Sequence, residues 1–310
     1  MALRYYMLET DDVPGTGIET DQRDLPRDAI TKALIFDCAA QVNGTSAGTR
    51  LAQTAQVDQF RIGAAESNSV SAIDGEDLDA YNVLNGNYTF LDTSAINNQR
   101  LSWGYVYPLD PFMLGFNADF SQPFGISGTV ARTIQFTYAA DIVTDAGLSI
   151  DLKRMAIGCI AKTDGSTNGY TAWLRNAFTG ATGGVNTFTD VPQPGRLLGV
   201  LCFETSAAAD ITVDLDNRTT QSIRAQAITI GRKDVLGPVY TTMSQYFNGS
   251  YEIGAISDEG FSFWNLGLHN EVGPLGMPSG ANIPTDMELR TSTGAADAIR
   301  VYTTTLNTNV

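Results

Sequence analysis

Histidine is almost absent from this chain of 310 residues, and that absence limits its chemistry. The single histidine is His269, in a short stretch that also contains glycine. Histidine is the side chain most often used for acid–base catalysis and for metal binding near neutral pH. A Ser-His-Asp triad would have to include His269, whereas a loop histidine bonded to backbone is the simpler interpretation. The sequence therefore disfavours nucleophilic catalysis.

Lysine is scarce as well, and acidic residues outnumber basic ones. The chain has 4 lysines among 19 basic residues, against 34 acidic residues, which gives a formal net charge of −15. A protein that neutralises the phosphates of nucleic acid needs a stripe of lysine or arginine on its surface. Direct binding of nucleic acid is therefore not expected.

Cysteines and long apolar runs are also few. Cys38, Cys159 and Cys202 are far apart and odd in number, so they form neither a Cys-x-x-Cys pair nor a complete set of disulfides. They are expected to be buried free thiols, which are inert in apolar strands. Apolar runs such as residues 197–203 reach only seven residues. A membrane helix needs roughly 20, and none is predicted.

Threonine, glycine and aspartate are abundant, and they favour strands joined by turns. The chain has 34 Thr and 30 Gly, and its 25 Asp outnumber its 9 Glu. Runs in which apolar and polar residues alternate follow one another from residue 29 onward. They include residues 57–63, 101–107, 134–138 and 211–216. Phe60 and Ile62 share one face of the first run, and Arg61 lies on the other.

Two short helices are predicted, over residues 75–84 and 171–178. Both interrupt series of strands instead of alternating with them, which argues against a parallel sheet with crossover helices. The predicted fold class is therefore all-β.

The order of strands in the first half of the chain is echoed in the second half, at an offset of about 150 to 170 residues. The apolar strand 33–38 corresponds to 197–203, the alternating strand 57–63 to 211–216, and the closing strand 132–138 to 298–302. Two tandem β domains account for this echo, although any threonine-rich β protein shows some such similarity by chance.

The predicted domain bounds follow from the echo. Residues 1–28 are acidic and aperiodic and form an extended N-terminal arm. Residues 29–145 form the first domain and residues 146–310 the second, with the junction near residues 141–147.

Acidic residues supply the remaining candidates for chemistry. Asp214 and Asp216 are two apart on one predicted strand face, which suits a glycosidase that needs two facing carboxylates. Four more acids crowd the start of the first predicted helix and could bind calcium; they are Asp74, Glu76, Asp77 and Asp79. The competing interpretation is structural, because aspartates favour turns and acids at a helix start complement its dipole. No catalytic, metal-binding or cofactor-binding residue is assigned.

Seven stretches carry a resemblance to a known family in their order and spacing, and they are residues 59–62, 73–81, 134–138, 173–178, 190–196, 198–203 and 209–216. They resemble the double jelly-roll major capsid proteins of membrane-containing icosahedral viruses, and the corticovirus family in particular. The resemblance spans residues 29 to 302 and rests on patterns, not on one diagnostic motif. Because the chain is longer than its corticovirus relative, a lipid-containing finnlakevirus with larger loops fits better.

This resemblance implies two tandem eight-stranded jelly-roll sandwiches with short helices in their loops. It also implies homotrimers with a pseudo-hexagonal outline that tile an icosahedral bacteriophage shell over an internal membrane. The expected partners are neighbouring trimers, penton or spike proteins, minor capsid proteins, and the membrane through the N-terminal arm. The expected location is the virion, after assembly in the host cytoplasm.

Two other functions remain open from the residues alone. A carbohydrate-binding or receptor-binding β-sandwich, such as a spike, would use exposed aromatics such as Trp103 or Trp264. A jelly-roll glycosidase would use Asp214 and Asp216.

Overall fold

The computed structural model describes eighteen stretches of the chain, which contain nineteen strands and one helix. The stretches are residues 3–12, 17–44, 57–64, 71–84, 100–110, 124–128, 133–140, 143–145, 148–163, 167–179, 184–188, 196–205, 223–230, 233–234, 239–240, 261–265, 287–293 and 298–307. The predicted all-β class is confirmed. No helix in these stretches is long and apolar enough to cross a membrane.

The chain divides into two compact units. Unit 1 is Met1–Ala172 together with Asn307–Val310, and unit 2 is Trp173–Leu306.

Unit 1 contains ten strands and one helix. The strands are β1 (Leu3–Asp12), β2 (Gly17–Asp24), β3 (Ala29–Gly44), β4 (Val57–Ala64), β5 (Ser71–Asp74), β6 (Arg100–Pro108), β7 (Ile126–Ser127), β8 (Thr133–Ala140), β9 (Val143–Asp145) and β10 (Leu148–Thr163), and α1 spans Gly75–Leu84. Sheet I has the order β1-β10-β3-β6, with β7 on β3 and β9 on β10, and sheet II has the order β2-β8-β4-β5.

Unit 2 contains nine strands, the first and last of which run a few residues past its bounds. They are β11 (Tyr170–Thr179), β12 (Gly184–Phe188), β13 (Arg196–Thr205), β14 (Ile223–Ile230), β15 (Lys233–Asp234), β16 (Val239–Tyr240), β17 (Phe261–Asn265), β18 (Met287–Thr293) and β19 (Ala298–Asn307). Sheet III has the order β11-β19-β13-β17-β16, and sheet IV the order β12-β18-β14-β15.

Both units wind their strands in the same way. If the eight main strands of unit 1 are counted along the chain, the first pairs with the last (β1·β10), the second with the seventh (β2·β8), the third with the sixth (β3·β6) and the fourth with the fifth (β4·β5). Unit 2 repeats this as β11·β19, β12·β18, β13·β17 and β14·β15. A long hairpin rolled up in this manner is a jelly roll. The predicted pair of tandem jelly rolls is therefore confirmed.

The core of unit 1 forms where sheets I and II face each other. Phe36 of β3 and Tyr105 of β6 each pack against Phe60 of β4, with ring centroids 4.6 and 4.9 Å apart. Phe60 and Ile62 are buried and Arg61 is exposed, as their alternation predicted. Successive residues of a strand point to opposite faces, so the alternation of apolar and polar residues in β4 places its apolar side chains in the core.

The structure corrects the predicted N-terminal arm. Residues 3–12 and 17–24 are strands that pair with β10 and β8, so they complete sheets I and II instead of extending away from them. The predicted boundary after residue 145 also falls elsewhere, because β10 pairs with β3 and closes unit 1. The chain is divided at residues 172 and 173.

Two further expectations differ from the structure. Residues 171–178 lie in strand β11, not in a helix, whereas the helix predicted over 75–84 is present as α1. The echo matched the closing strand 132–138, which lies in β8, with residues 298–302. In the structure, β8 corresponds to β18, whereas residues 298–302 belong to β19, which corresponds to β10. The predicted strand 211–216 lies outside the described residues.

Candidate functional surfaces

The candidates for catalysis do not come together in the described part of the chain. His269, Asp214 and Asp216 lie outside it. The sequence also contains one Gly-x-Ser-x-Gly match, the pattern of a nucleophilic serine, at residues 44–48, and only Gly44 of it lies among the described residues. Among the residues that the structure covers, no group of three or more His, Cys, Asp or Glu side chains is arranged to hold a metal ion.

The acids at the start of α1 serve the fold. All four are buried, with exposed fractions of 9% or less. Gln59 of β4 donates a hydrogen bond from Nε2 to Oδ1 of Asp74 at 3.1 Å, which links the neighbouring strands β4 and β5 just before the helix. Acids in the first turn of a helix are also stabilised by its dipole.

Two of the three cysteines are buried free thiols, as predicted. Cys38 and Cys159 are both fully buried and lie on β3 and β10. Burial raises the pKa of Cys38 far above its ordinary range and raises that of Cys159 to about 11, so both stay protonated at neutral pH. The side chain of Cys202 lies outside the described residues.

The outer face of sheet I carries exposed apolar side chains. Phe36 packs on sheet II, so the odd-numbered neighbours on β3, Ile35 and Asp37, face the other way. Ile35 is in register with Gly158 of β10, and Gly158 with Met7 of β1. Directly paired residues share a face of a sheet. The outer face therefore includes Met7 and its alternate neighbours on β1.

These neighbours form what we call the β1 stripe, which consists of Leu3, Tyr5 and Met7. Their exposed fractions are 46%, 55% and 51%, and they are the exposed large hydrophobic residues of the described chain. The Tyr5 ring crosses β10 directly above Gly158, where an added Cβ would overlap the hydroxyl and ring carbons. Glycine at position 158 thus lets the ring lie flat on the sheet. Partial burial, followed by the nearby Asp37 carboxylate, raises the pKa of Tyr5.

Charged groups adjoin the β1 stripe on the same face. Arg154 Nη2 of β10 donates to Asp37 Oδ2 at 2.8 Å, and both side chains are about half exposed. Beside this pair, where the register of β10 shifts, a cleft of about 370 Å³ is lined by Ala39, Ala40, Gln41, Lys153 and Arg154. The face thus combines apolar area with a cationic cleft.

A buried ion pair fastens the opposite end of β3. Lys32 Nζ lies 2.8 Å from Asp110 Oδ2, both side chains are fully buried, and Nζ also donates to the Phe124 carbonyl oxygen at 2.5 Å. The Lys32 carbonyl accepts hydrogen bonds from the backbone N–H groups of Leu109 and Asp110. These three residues, Lys32, Asp110 and Phe124, are called the Lys32 cluster below. It joins β3 to the segment that follows β6 and to the segment that precedes β7.

The backbone next to the Lys32 cluster requires glycine. Gly125 has φ of +129°, and an added Cβ would overlap the Thr31 carbonyl oxygen. Its N–H donates to the Gly169 carbonyl oxygen at 2.8 Å, and the Thr167 hydroxyl donates to the Gly125 carbonyl oxygen at 2.6 Å. The cluster therefore extends, through backbone, to the turn that leads into β11.

Comparison of sequences and of structures gave different outcomes. No family model matches the sequence, and no curated protein matches it. The fold is similar to that of the STIV major capsid protein, at 11% identity and a TM-score of 0.68, over 99% of this chain and 98% of that one. It is also similar to the major capsid protein P2 from bacteriophage PM2, at 10% identity and a TM-score of 0.55, over 99% of both chains. The fold is similar as well to that of the Faustovirus major capsid protein, at 9% identity and a TM-score of 0.53, over 99% of this chain and 90% of that one.

The fold is the double jelly roll. Both units take part in each match, because nearly the whole chain is covered. The resemblance to double jelly-roll major capsid proteins, which the sequence predicted from strand order, is thereby confirmed for the architecture.

Sequence reasoning missed the β1 stripe and the Lys32 cluster. In residues 3–8, apolar side chains occupy both parities, so no alternation identified a strand with one wet face. A signal for the cluster was present, since Lys32 is one of only four lysines and stands in the apolar run around residues 29–36. A lysine there must find an anionic partner elsewhere in the chain.

Proposed function

We propose that this chain is the major capsid subunit of an icosahedral, membrane-containing bacteriophage. The observation that carries the proposal is the same rolled-hairpin winding twice in tandem, matched over nearly the full length of capsid proteins. Two jelly rolls in each of three subunits present six similar walls, which gives a trimer a pseudo-hexagonal outline. Such trimers tile a closed shell.

The charge of the chain supports a shell that does not line the genome. A protein that packs against nucleic acid is ordinarily basic, whereas this one carries a net charge of −15. An internal lipid membrane between shell and genome accounts for that balance. The proposed location is the virion, after assembly in the host cytoplasm. The proposed partners beyond neighbouring trimers are penton or spike proteins, minor capsid proteins and the membrane.

The contact with the membrane needs a different element from the one that the sequence suggested. Residues 3–12 are hydrogen-bonded to β10 along their length, so they are not a loose arm that reaches lipid. We therefore propose that any membrane contact is made by a part of the chain other than a loose N-terminal arm.

The alternatives have less support than the capsid function. Trp103 is only 1% exposed, so it offers no surface on which a sugar ring could stack. The glycosidase candidates Asp214 and Asp216 lie outside the described residues, and no described feature favours that function.

Sedimentation velocity and electron microscopy of the purified full chain test the proposal. We expect a species with three times the mass of the chain, which appears as a pseudo-hexagonal particle and forms arrays or shells at higher concentration. A chain that stays monomeric at all concentrations, and that enters no shell when expressed with the other virion proteins, would overturn it.

A further inference from the structure

We propose that the outer face of sheet I, centred on the β1 stripe, is the surface on which a second copy of this chain docks. The proposal rests on the self-assembling function proposed above and names the face that assembly uses. It commits to another copy of the same chain as the occupant, and a lipid surface is an alternative outcome of the test.

The first argument is the amount of exposed apolar surface. Leu3, Tyr5 and Met7 are each about half exposed, and they lie side by side on one edge strand. Ile160, in register with Tyr5, and Ile35 are partly exposed on the same face. Side chains of this size, half exposed, offer on the order of 300 Å² of apolar surface together. That area is sufficient for the centre of an interface that buries about 800 Å² per partner.

The second argument is that the patch is flat. The Tyr5 ring lies across Gly158, and its hydroxyl is 3.9 Å from Met7 Sδ. Tyrosine is among the residues that most often dominate binding energy. A flat sheet face is suited to pack against another flat sheet face, as the two sheets of a sandwich do.

The third argument is charge complementarity. The cleft beside the patch is lined in part by Lys153, whose side chain is exposed. The chain as a whole has 34 acidic residues against 19 basic ones, so a second copy brings an excess of carboxylates to a cationic surface.

The ion pair on this face is compatible with burial in an interface. Arg154 and Asp37 already neutralise each other at 2.8 Å. Covering a pair costs less than covering a single charge, because neither group is left without its counter-ion.

The test compares the double variant Tyr5→Ser, Met7→Ser with the control Arg61→Ser in the full-length chain. Arg61 is exposed on sheet II and lies outside the proposed surface. In a dilution series followed by sedimentation velocity, we expect the double variant to need at least about tenfold more protein to reach half-assembly. The control is expected to match the parent chain. Thermal unfolding of all three proteins shows whether the variants remain folded.

A second measurement does not depend on weakening the assembly. In Met7→Cys, the new thiol should react with a maleimide at least about tenfold more slowly in the trimer fraction than in the monomer fraction. The parent chain supplies the background from its own cysteines. Equal labelling rates in the two fractions would overturn the inference.

The remaining outcomes separate this inference from the proposed function. If the parent and the double variant assemble equally well, the docking face is elsewhere and the capsid proposal stands. If the parent itself never assembles, both proposals fail. If the parent binds vesicles of phosphatidylcholine and phosphatidylglycerol, and the double variant loses that binding but still assembles, the patch faces lipid and the inference is wrong.

Discussion

Units 1 and 2 share one winding of eight strands but differ in the lengths of the central strands. β3 and β10 have 16 residues each, whereas their counterparts β13 and β19 have 10. At about 3.3 Å per residue, the central strands of unit 1 are roughly 20 Å longer. The extra length of β3 includes the end that holds Lys32 and pairs with β7.

This difference shows which features of the duplicated domain are constrained and which are not. The order of pairing is kept in both units, because it decides which strands bury each other. The length of the central strands differs between the units, and the end of β3 that extends past β6 is paired with β7. The Lys32 cluster and the glycine-dependent backbone around Gly125 also fasten that end.

The largest expected effect comes from removal of residues 1–12, which deletes β1. Loss of β1 uncovers the edge of β10 from Met155 to Lys162 and should remove most of the about 5–15 kcal/mol by which a domain of this size is stable. Urea unfolding followed by circular dichroism measures the loss. An unchanged first transition would instead support the extended arm that the sequence suggested.

The next largest effect is expected for Asp110→Asn, which leaves the Lys32 ammonium buried beside a neutral amide. Breaking a buried ion pair in this way costs about 3–5 kcal/mol. Replacing both partners, as in Lys32→Met with Asp110→Leu, should recover much of the loss, because an apolar pair needs no counter-ion. Chemical denaturation gives the free energies.

The control for this prediction is Asp37→Asn, because Asp37 pairs with Arg154 at the same distance of 2.8 Å on the surface. An exposed pair contributes about 0–1 kcal/mol. Equal losses for Asp110→Asn and Asp37→Asn would show that burial does not determine the contribution of the Lys32 cluster.

Phe60→Ala tests whether the two units unfold separately. Loss of the ring between Phe36 and Tyr105 should destabilise unit 1 by about 3–5 kcal/mol. Fluorescence of Trp103, in unit 1, should then change at lower denaturant, whereas Trp173, in unit 2, keeps its midpoint. Trp264 also belongs to unit 2, so a variant that lacks Trp173 and Trp264 reports on unit 1, and a variant that lacks Trp103 reports on unit 2. Simultaneous shifts would mean that the units unfold as one.

A smaller effect is expected for Gly125→Ala, about 1–3 kcal/mol, because alanine is strained at φ of +129° and its Cβ meets the Thr31 carbonyl oxygen. Gly158→Ala is the matched control. There the added Cβ meets only the exposed Tyr5 ring, which can rotate away, so the midpoint of unfolding should hardly move. If the two variants lose equal stability, the backbone at Gly125 is not under the constraint described.

The smallest effect is on the pH dependence of stability. The pKa of Cys159 is about 11 in the folded chain and 9.0 in the unfolded reference. Because the folded state favours the protonated thiol, this contribution is complete below pH 9 and is lost as the pH rises towards 11. Comparison of Cys159→Ala with the parent between pH 8 and 11 measures it. A parent chain that loses no stability relative to the variant in that range would contradict the assignment.

Local alternation made the interior strands predictable from sequence. Phe60, Arg61 and Ile62 alternate because β4 has one face in the core and one in solvent, and the sequence records that directly. The same reasoning failed for strand β11, because its first four residues, 170–173, are all buried and show no alternation. The residue pattern of a short run that is buried on both faces is compatible with a helix and with a strand.

Pairing between distant strands was not predictable in the same way. Nothing near Leu3 reveals that its partner is Lys162, or that Lys32 meets Asp110. These contacts are set by the winding of the whole unit. The echo between the two halves was detected for the same reason only in part. Its closing strands were matched wrongly, because β10 and β19 are identified by the strands they pair with and not by their own residues.

The pairing of first with last strand in unit 1 also sets the order in which the chain can fold during synthesis. β4 and β5 are close in sequence and can pair early, whereas β1 has no partner until β10 has left the ribosome, because Leu3 pairs with Lys162. Pairing over such a distance makes folding slow. Until then, the strand that carries Leu3, Tyr5 and Met7 is unpaired. The nascent N-terminus is therefore the part of the chain most exposed to premature association with other chains.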